Sequence, residues 1–183
     1  FHASVSHAGE SMIQHAPIIT KIYFPRLIIP CSAILVALFD FLMGFFIFLV
    51  FCLIYRQPLG WEALYYFPAG ITVILLSAFG AGTFLAALNV KYRDFRYTIP
   101  FLIQVLFFAS QVIYPLQSIQ QSGLKYLLAL NPVNASLELF RSPLSGQSPD
   151  SMILLIGLAA TAILVMSGLI FFRKTEAYFA DIA

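Results

Sequence analysis

Charge is what this sequence has least of. Of its 183 residues only 10% are charged, against about 25% in an ordinary soluble domain. With 61% hydrophobic residues and a mean hydropathy of +0.90, a soluble fold would lack the polar side chains to cover its surface. The net charge of +2 is too weak to attract a nucleic acid, and none is expected as a partner. Cysteine is nearly absent. Cys31 and Cys52 fall near opposite ends of one apolar stretch, about 31 Å apart on a helix, which excludes a disulfide between them.

The motifs of soluble enzymes are also missing. Acids are few and scattered, unlike the paired carboxylates expected near one interface of a membrane glycosyltransferase. No phosphate-binding loop is present, so any ATP that drives this protein is bound by another chain. His2, His7 and His15 have no metal-ligand spacing with an acid or cysteine and read as a polar helix face, with no metal site implied. Gly80-Ala-Gly82 opens like a dinucleotide fingerprint, but Leu85 holds the third glycine position and no strand precedes it. Ala78, Gly82 and Ala86 instead suit close helix packing. Ser122-Gly-Leu-Lys125 matches a serine–lysine pattern by chance, since its companion motifs are missing. Asn134-Ala-Ser136 is a formal glycosylation sequon, and coincidence explains it equally well. Phe1 is not an initiator methionine, no signal peptide is visible, and Phe1 to Thr20 could continue a helix that began upstream.

Long uncharged runs are what the chain has instead. From Arg26 to Arg56 the only charge is Asp40, and there is none between Glu62 and Lys91, Arg96 and Lys125, or Asp150 and Arg173. A helix needs about 20 apolar residues to cross a hydrocarbon core of about 30 Å. The sequence therefore predicts an all-α integral membrane protein with four transmembrane helices, at 30–54, 64–88, 98–114 and 151–172. Four spans put residues 1–26, the 89–97 loop and the C-terminus on one side. That side holds Lys21, Arg26, Lys91, Arg93, Arg96, Arg173 and Lys174, against Arg56, Lys125 and Arg141 on the other. The positive-inside rule makes the richer side cytoplasmic. Trp61, Tyr65 and Tyr66 mark the outer boundary, and Tyr92 and Tyr97 the inner one. Residues 115–150 are irregular. Leu124–Leu130 is too short to cross, and Val133, Leu137, Phe140 and Leu144 form one short amphipathic face. Two short helices, re-entrant in the outer leaflet or lying on its surface, fit this segment.

Five motifs in register then carry a resemblance. Lys21-Ile-Tyr-Phe-Pro-Arg26 with Leu-Ile-Ile-Pro30 is followed by Ala87-Leu-Asn-Val-Lys-Tyr-Arg-Asp94, Val112-Ile-Tyr-Pro115 and Leu130-Asn-Pro132. The ending Phe171-Phe-Arg-Lys174 with Phe179-Ala-Asp181 completes the set. In this order they resemble type-2 ABC exporter permeases, in particular the group exporting O-antigen, capsular polysaccharide and teichoic acid. Gln111 stands where that pattern has a proline. The resemblance implies a single permease domain over 1–183, the C-terminal part of a six-span subunit, with 1–26 holding the end of a preceding helix and a coupling segment. It also implies a homodimer in the bacterial cytoplasmic membrane, a lipid-linked glycan or polyol-phosphate substrate, and a separate ATPase subunit that binds ATP-Mg. No cofactor is expected in this chain, and its role is transport rather than catalysis. A drug or lipid exporter of the same architecture is the nearest alternative, and a membrane enzyme or assembly factor a more distant one.

Candidate functional residues follow from spacing. Tyr97, Phe101, Gln104, Phe108 and Gln111 recur at 4, 3, 4 and 3 residues and share one helical face. Amides in a span without charges need hydrogen-bond partners. A glycan conduit would supply hydroxyls to the glutamines and sugar faces to the rings; a helix–helix contact would satisfy the amides as well. Asp40, near mid-span, is expected to face protein or water and to bond another helix, with or without a role in the conduit. For coupling to the ATPase the candidates are Met12, Ile13, Gln14, His15, Ile18, Ile19 and Lys21, together with Arg93 and Asp94 of the 89–97 loop; Pro17 and Pro25 bound a short stretch that the resemblance makes a helix lying against the ATPase. Lys21, Arg26, Arg93 and Arg96 also suit simple anchoring of helix ends at anionic lipid.

Overall fold

The computed structural model describes residues 1–19, 24–57, 59–92, 94–110, 112 and 122–176, the side chains at 18, 19, 96, 122 and 124 excepted. Those residues form helices joined by short connections and no strand. In chain order they are α1 (His2–Gln14), α2 (Ala16–Ile19), α3 (Ile28–Ile54), α4 (Ala63–Lys91), α5 (Phe95–Phe108), α6 (Ser122–Ala129), α7 (Pro132–Ser145) and α8 (Ser151–Thr175). The all-α expectation is met. Three helices, α3, α4 and α8, are long and apolar enough to cross a membrane. The fourth apolar helix, α5, has 14 residues, about 21 Å at the usual rise, and is shorter than a full crossing.

Helix α4 is the centre, and its small side chains make it so. On one face Ala78, Gly82 and Ala86 are buried; a Cβ at Gly82 would lie 2.8 Å from the Ala8 Cβ and 3.5 Å from Ile34. Here α1 and α3 approach. On another face α8 comes close: a Cβ on Gly80 would sit 2.6–2.8 Å from Leu164 and Val165, and one on Gly168 would strike Thr83 and the Gly80 carbonyl. The Ser77 and Thr161 hydroxyls meet across the same seam at 3.1 Å, one donating to the other, whose own proton goes to the carbonyl four residues back in its helix. In lipid the hydrophobic effect does not drive helices together, so close backbone approach through small residues and such polar contacts hold them.

The α6–α7 hairpin is built by Leu130-Asn131-Pro132. Asn131 is the N-cap of α7, its Oδ1 accepting from the Val133 N–H at 3.2 Å, and Pro132 takes the first helical position, where no N–H is needed. The Asn131 amide donates to the Leu106 carbonyl near the end of α5, and Asn134 donates to Leu128 O. Asn134 is fully buried, so the sequon offers a glycosylating enzyme no access. Ala135 packs against Gly157, six residues below the start of α8 and hence about 9 Å down its axis. Phe140 joins Phe41, Phe45 and Phe67 in an aromatic cluster with ring centroids 5.3–6.0 Å apart. Gly146 ends α7 in the left-handed conformation, φ 64°, as glycine allows.

Candidate functional site

Helix α5 presents two opposed faces. Ile99 and Ile103 are 4% and 2% exposed and form a stripe packed toward α1 and α4. The stripe singled out by spacing lies nearly opposite. Tyr97, Phe101 and Phe108 are 84%, 68% and 57% exposed, and Gln104 is exposed between them. These four share one outward face of the chain. Gln111 lies outside the described residues. The surface they make is mixed: flat aromatic faces alternate with an amide that both donates and accepts. Pro100 inside α5 removes one backbone donor from the helix.

The neighbouring edge is polar as well. Helix α1 buries Ser4, Val5, Ala8, Gly9, Ser11 and Met12, leaving His2 and His7 exposed and Glu10 half-buried. Gln14 donates to the Glu10 carboxylate at 3.0 Å. Gly9, on the buried face of α1, lies against Ile99 of α5. Among the described residues no three metal-ligating side chains come together.

Asp40 sits on the outward side of α3 with Val36, Phe39 and Met43, all more than half exposed. A Cβ added at Gly44, one turn on, would meet nothing within 4 Å. Among the described residues no hydrogen bond or ion pair involves Asp40, so a bond to another helix is not made within this part of the chain.

The coupling candidates separate. Met12 is 2% exposed and packs with Ile29, Ala86, Ala87 and Phe172, where α1, α3, α4 and α8 converge. Ile13 is half-buried, whereas Gln14, His15 and Asp94 are at the surface. The His15 ring bonds the Ser11 carbonyl at the end of α1. Ile18 and Ile19 belong to α2, a single turn, but their side chains are outside the description, as are Lys21 and Arg93 entirely. Nearby, the Arg26 guanidinium donates to the main-chain carbonyl of Glu176, tying the start of α3 to the end of α8.

At the far end of the helices is a polar knot that sequence reasoning missed. Lys125 of α6 pairs with Asp150, the N-cap of α8, at 2.7 Å. Asp150 also accepts from the Met152 and Ile153 N–H groups, and its own N–H donates to buried Glu138 of α7. The hydrogen bond from Lys125 holds the Asp150 carboxyl below its ordinary range, and the same bond raises Lys125. Three helices are joined there through residues 125, 138 and 150, whose separation in sequence gives no local pattern to read.

Relatives share this chain throughout its length. An O-antigen export system permease protein RfbA of Myxococcus xanthus is 27% identical over 183 residues, covering 99% of this chain and 70% of its own. Two proteins of that name from Klebsiella pneumoniae are 26% and 24% identical, covering all of this chain and 70% of their own. The sequence pattern of the family described as ABC-2 type transporter matches residues 3–144, from α1 through α7, and the chain belongs to that family.

Proposed function

We propose that the protein is the membrane-spanning permease subunit of an ATP-driven exporter that moves a lipid-linked polysaccharide of the O-antigen type across the bacterial cytoplasmic membrane. The observation that carries this reading is similarity over the whole chain to three permeases of O-antigen export. Capsule and teichoic acid polymers present similar chemistry. The chain works as a pair of identical subunits with a separate ATPase, and its C-terminus is on the cytoplasmic side, a reading supported by the distribution of Lys and Arg.

The outward face of α5 suits such a substrate. A sugar ring offers an apolar C–H face to an aromatic ring and hydroxyls to an amide, and Tyr97, Phe101, Gln104 and Phe108 supply both at one-turn intervals. A wide path needs repeated weak contacts, so that the polymer slides without being held. Tyr97, at the α5 end nearest the basic loop, is the cytoplasmic mouth. The α6–α7 hairpin re-enters the outer leaflet beside α8 and stands at the other end of α5. Asp40 faces protein or water, since a charge at mid-membrane costs about 2.5–3.5 kcal/mol on insertion scales. Force from the ATPase enters through α2 and the start of α5.

Reconstitution of the full-length protein with its ATPase in proteoliposomes tests this. ATP-dependent transfer of a lipid-linked glycan is the expected result. Gln104→Leu with Phe108→Leu should reduce transfer while leaving assembly with the ATPase intact. Normal export by that variant removes the conduit assignment. Transport of a drug or simple lipid in place of the glycan overturns the substrate reading.

A further inference from the structure

Asn89 is placed where a stability-seeking sequence would put leucine. It lies in the last turn of α4, is 0% exposed, and its Nδ2 donates to the main-chain carbonyl of Gly9 in the middle of α1 at 2.7 Å. Its Oδ1 is buried and has no hydrogen-bond partner among the described residues. The Gly9 carbonyl lies inside α1, where the helix ladder already gives it an acceptor role, so it gains a second donor that it does not need. A buried amide oxygen left unmatched is costly, and an apolar group of the same shape removes that cost together with the bond to Gly9, whose carbonyl keeps its place in the α1 ladder. Leucine has the same branched skeleton as asparagine. The bond to α1 contributes to helix contact, but the unmatched oxygen sets a cost against that gain, and buried polar groups kept at such a cost are a mark of functional positions.

The surroundings say what that function is. At Gly9 three helices meet: a Cβ there would lie 3.5 Å from Leu85 Cβ and 3.8 Å from Asn89 Nδ2 of α4, and 3.9 Å from Ile99 of α5. Five residues beyond Gly9, α1 ends and leads into α2. A few residues beyond Asn89, α4 ends and the chain turns into α5. Dispersion contacts between Ala8, Gly82 and Met12 and their neighbours hold α1 sideways against α4, but smooth small-residue surfaces slide along the axis. A hydrogen bond from a side chain to a main-chain atom fixes axial register.

We propose that Asn89 is a positioning residue for energy coupling: it locks the axial register of α1 on α4, so that a push delivered at α2 displaces both helices, and with them the start of α5, as one body. This rests on the export reading above and names the element that transmits force within it.

The test uses the full-length permease with its ATPase in proteoliposomes, measuring ATP hydrolysis, ATP-driven export and melting temperature together. Asn89→Leu should keep or raise the melting temperature, keep basal ATP hydrolysis, and lower export per ATP hydrolysed by about tenfold, within the span of ordinary coupling energies. Melting temperature and export falling together would make Asn89 merely structural and overturn the proposal. So would unchanged export. A second experiment does not depend on how that variant folds. With Cys31→Ala and Cys52→Ala as background, Gly9→Cys and Leu85→Cys place two Cβ atoms near 3.5 Å, inside the span of a disulfide, about 3.5–4.5 Å. The oxidised protein should export like the reduced one, and the bond should restore coupling to Asn89→Leu. If the bond stops export, α1 and α4 must separate during the cycle and the proposal falls. Failure of the unaltered complex to export would instead overturn the export reading itself.

Discussion

Helices α4 and α5 are neighbours in the chain and are built on opposite plans. Helix α4 buries Ser77, Ala78, Gly80, Gly82, Thr83, Ala86 and Ala87 and touches α1, α3, α7 and α8. Helix α5 buries only a narrow stripe headed by Ile99 and Ile103 and turns its rings outward. Small residues let backbones meet and fix a frame. Large aromatic and amide side chains do not let backbones approach so closely, and on α5 they are left exposed. Close-packed frame and outward aromatic face are thus separated along the sequence by a few residues, with Asn89 at the junction.

That contrast is easiest to break on the frame. Gly80→Val or Gly168→Val forces α4 from α8, since even a Cβ would lie under 3 Å from the opposing helix. The expected loss is at the upper end of about 1–3 kcal/mol or beyond, seen as a lower melting temperature in detergent and depletion from the membrane. Asn131→Ala removes the N-cap of α7 and its tie to Leu106 of α5. Its expected loss is about 0.5–2 kcal/mol, with faster hydrogen exchange confined to the first turn of α7.

The Lys125–Asp150 pair is worth less, about 1 kcal/mol at most for partly exposed groups. Asp150 is lowered in the folded protein, so its contribution is full above about pH 4 and is lost as pH falls through the lowered value. Lys125 is raised, so its share is lost only as pH rises past about 10.4. The melting-temperature gap between the unaltered protein and Lys125→Met should therefore be constant from about pH 5 to 9 and shrink at both extremes. A gap that changes near neutrality would mean another group holds the knot. Phe101→Ala sharpens the contrast from the working side: at an exposed site its stability change should stay within about 0.5 kcal/mol, while export falls. A drop in melting temperature comparable to that of the glycine variants would make this face a packing surface.

The sequence by itself determined the elements. Asp40 is the sole charge between Arg26 and Arg56, and the other long runs have none, so α3, α4 and α8 follow from the need to satisfy backbone groups in hydrocarbon. Asn131 before Pro132 set the start of α7 for equally local reasons, and the period of Tyr97, Phe101, Gln104 and Phe108 gave one shared face because a helix has a fixed turn. The α5 run was read as a span of 98–114 from composition, while the helix described is Phe95–Phe108; composition bounds where a helix is tolerated, not where its hydrogen bonds stop. Which side of each helix meets which neighbour was decided only by tertiary structure. Met12, a coupling candidate by its place in the chain, is buried where α1, α3, α4 and α8 converge. The knot of Lys125, Glu138 and Asp150 and the register lock from Asn89 to Gly9 join residues far apart in sequence. Such contacts depend on helix rotation and axial offset, and these follow from the sum of many small packing energies across elements, which no local pattern records.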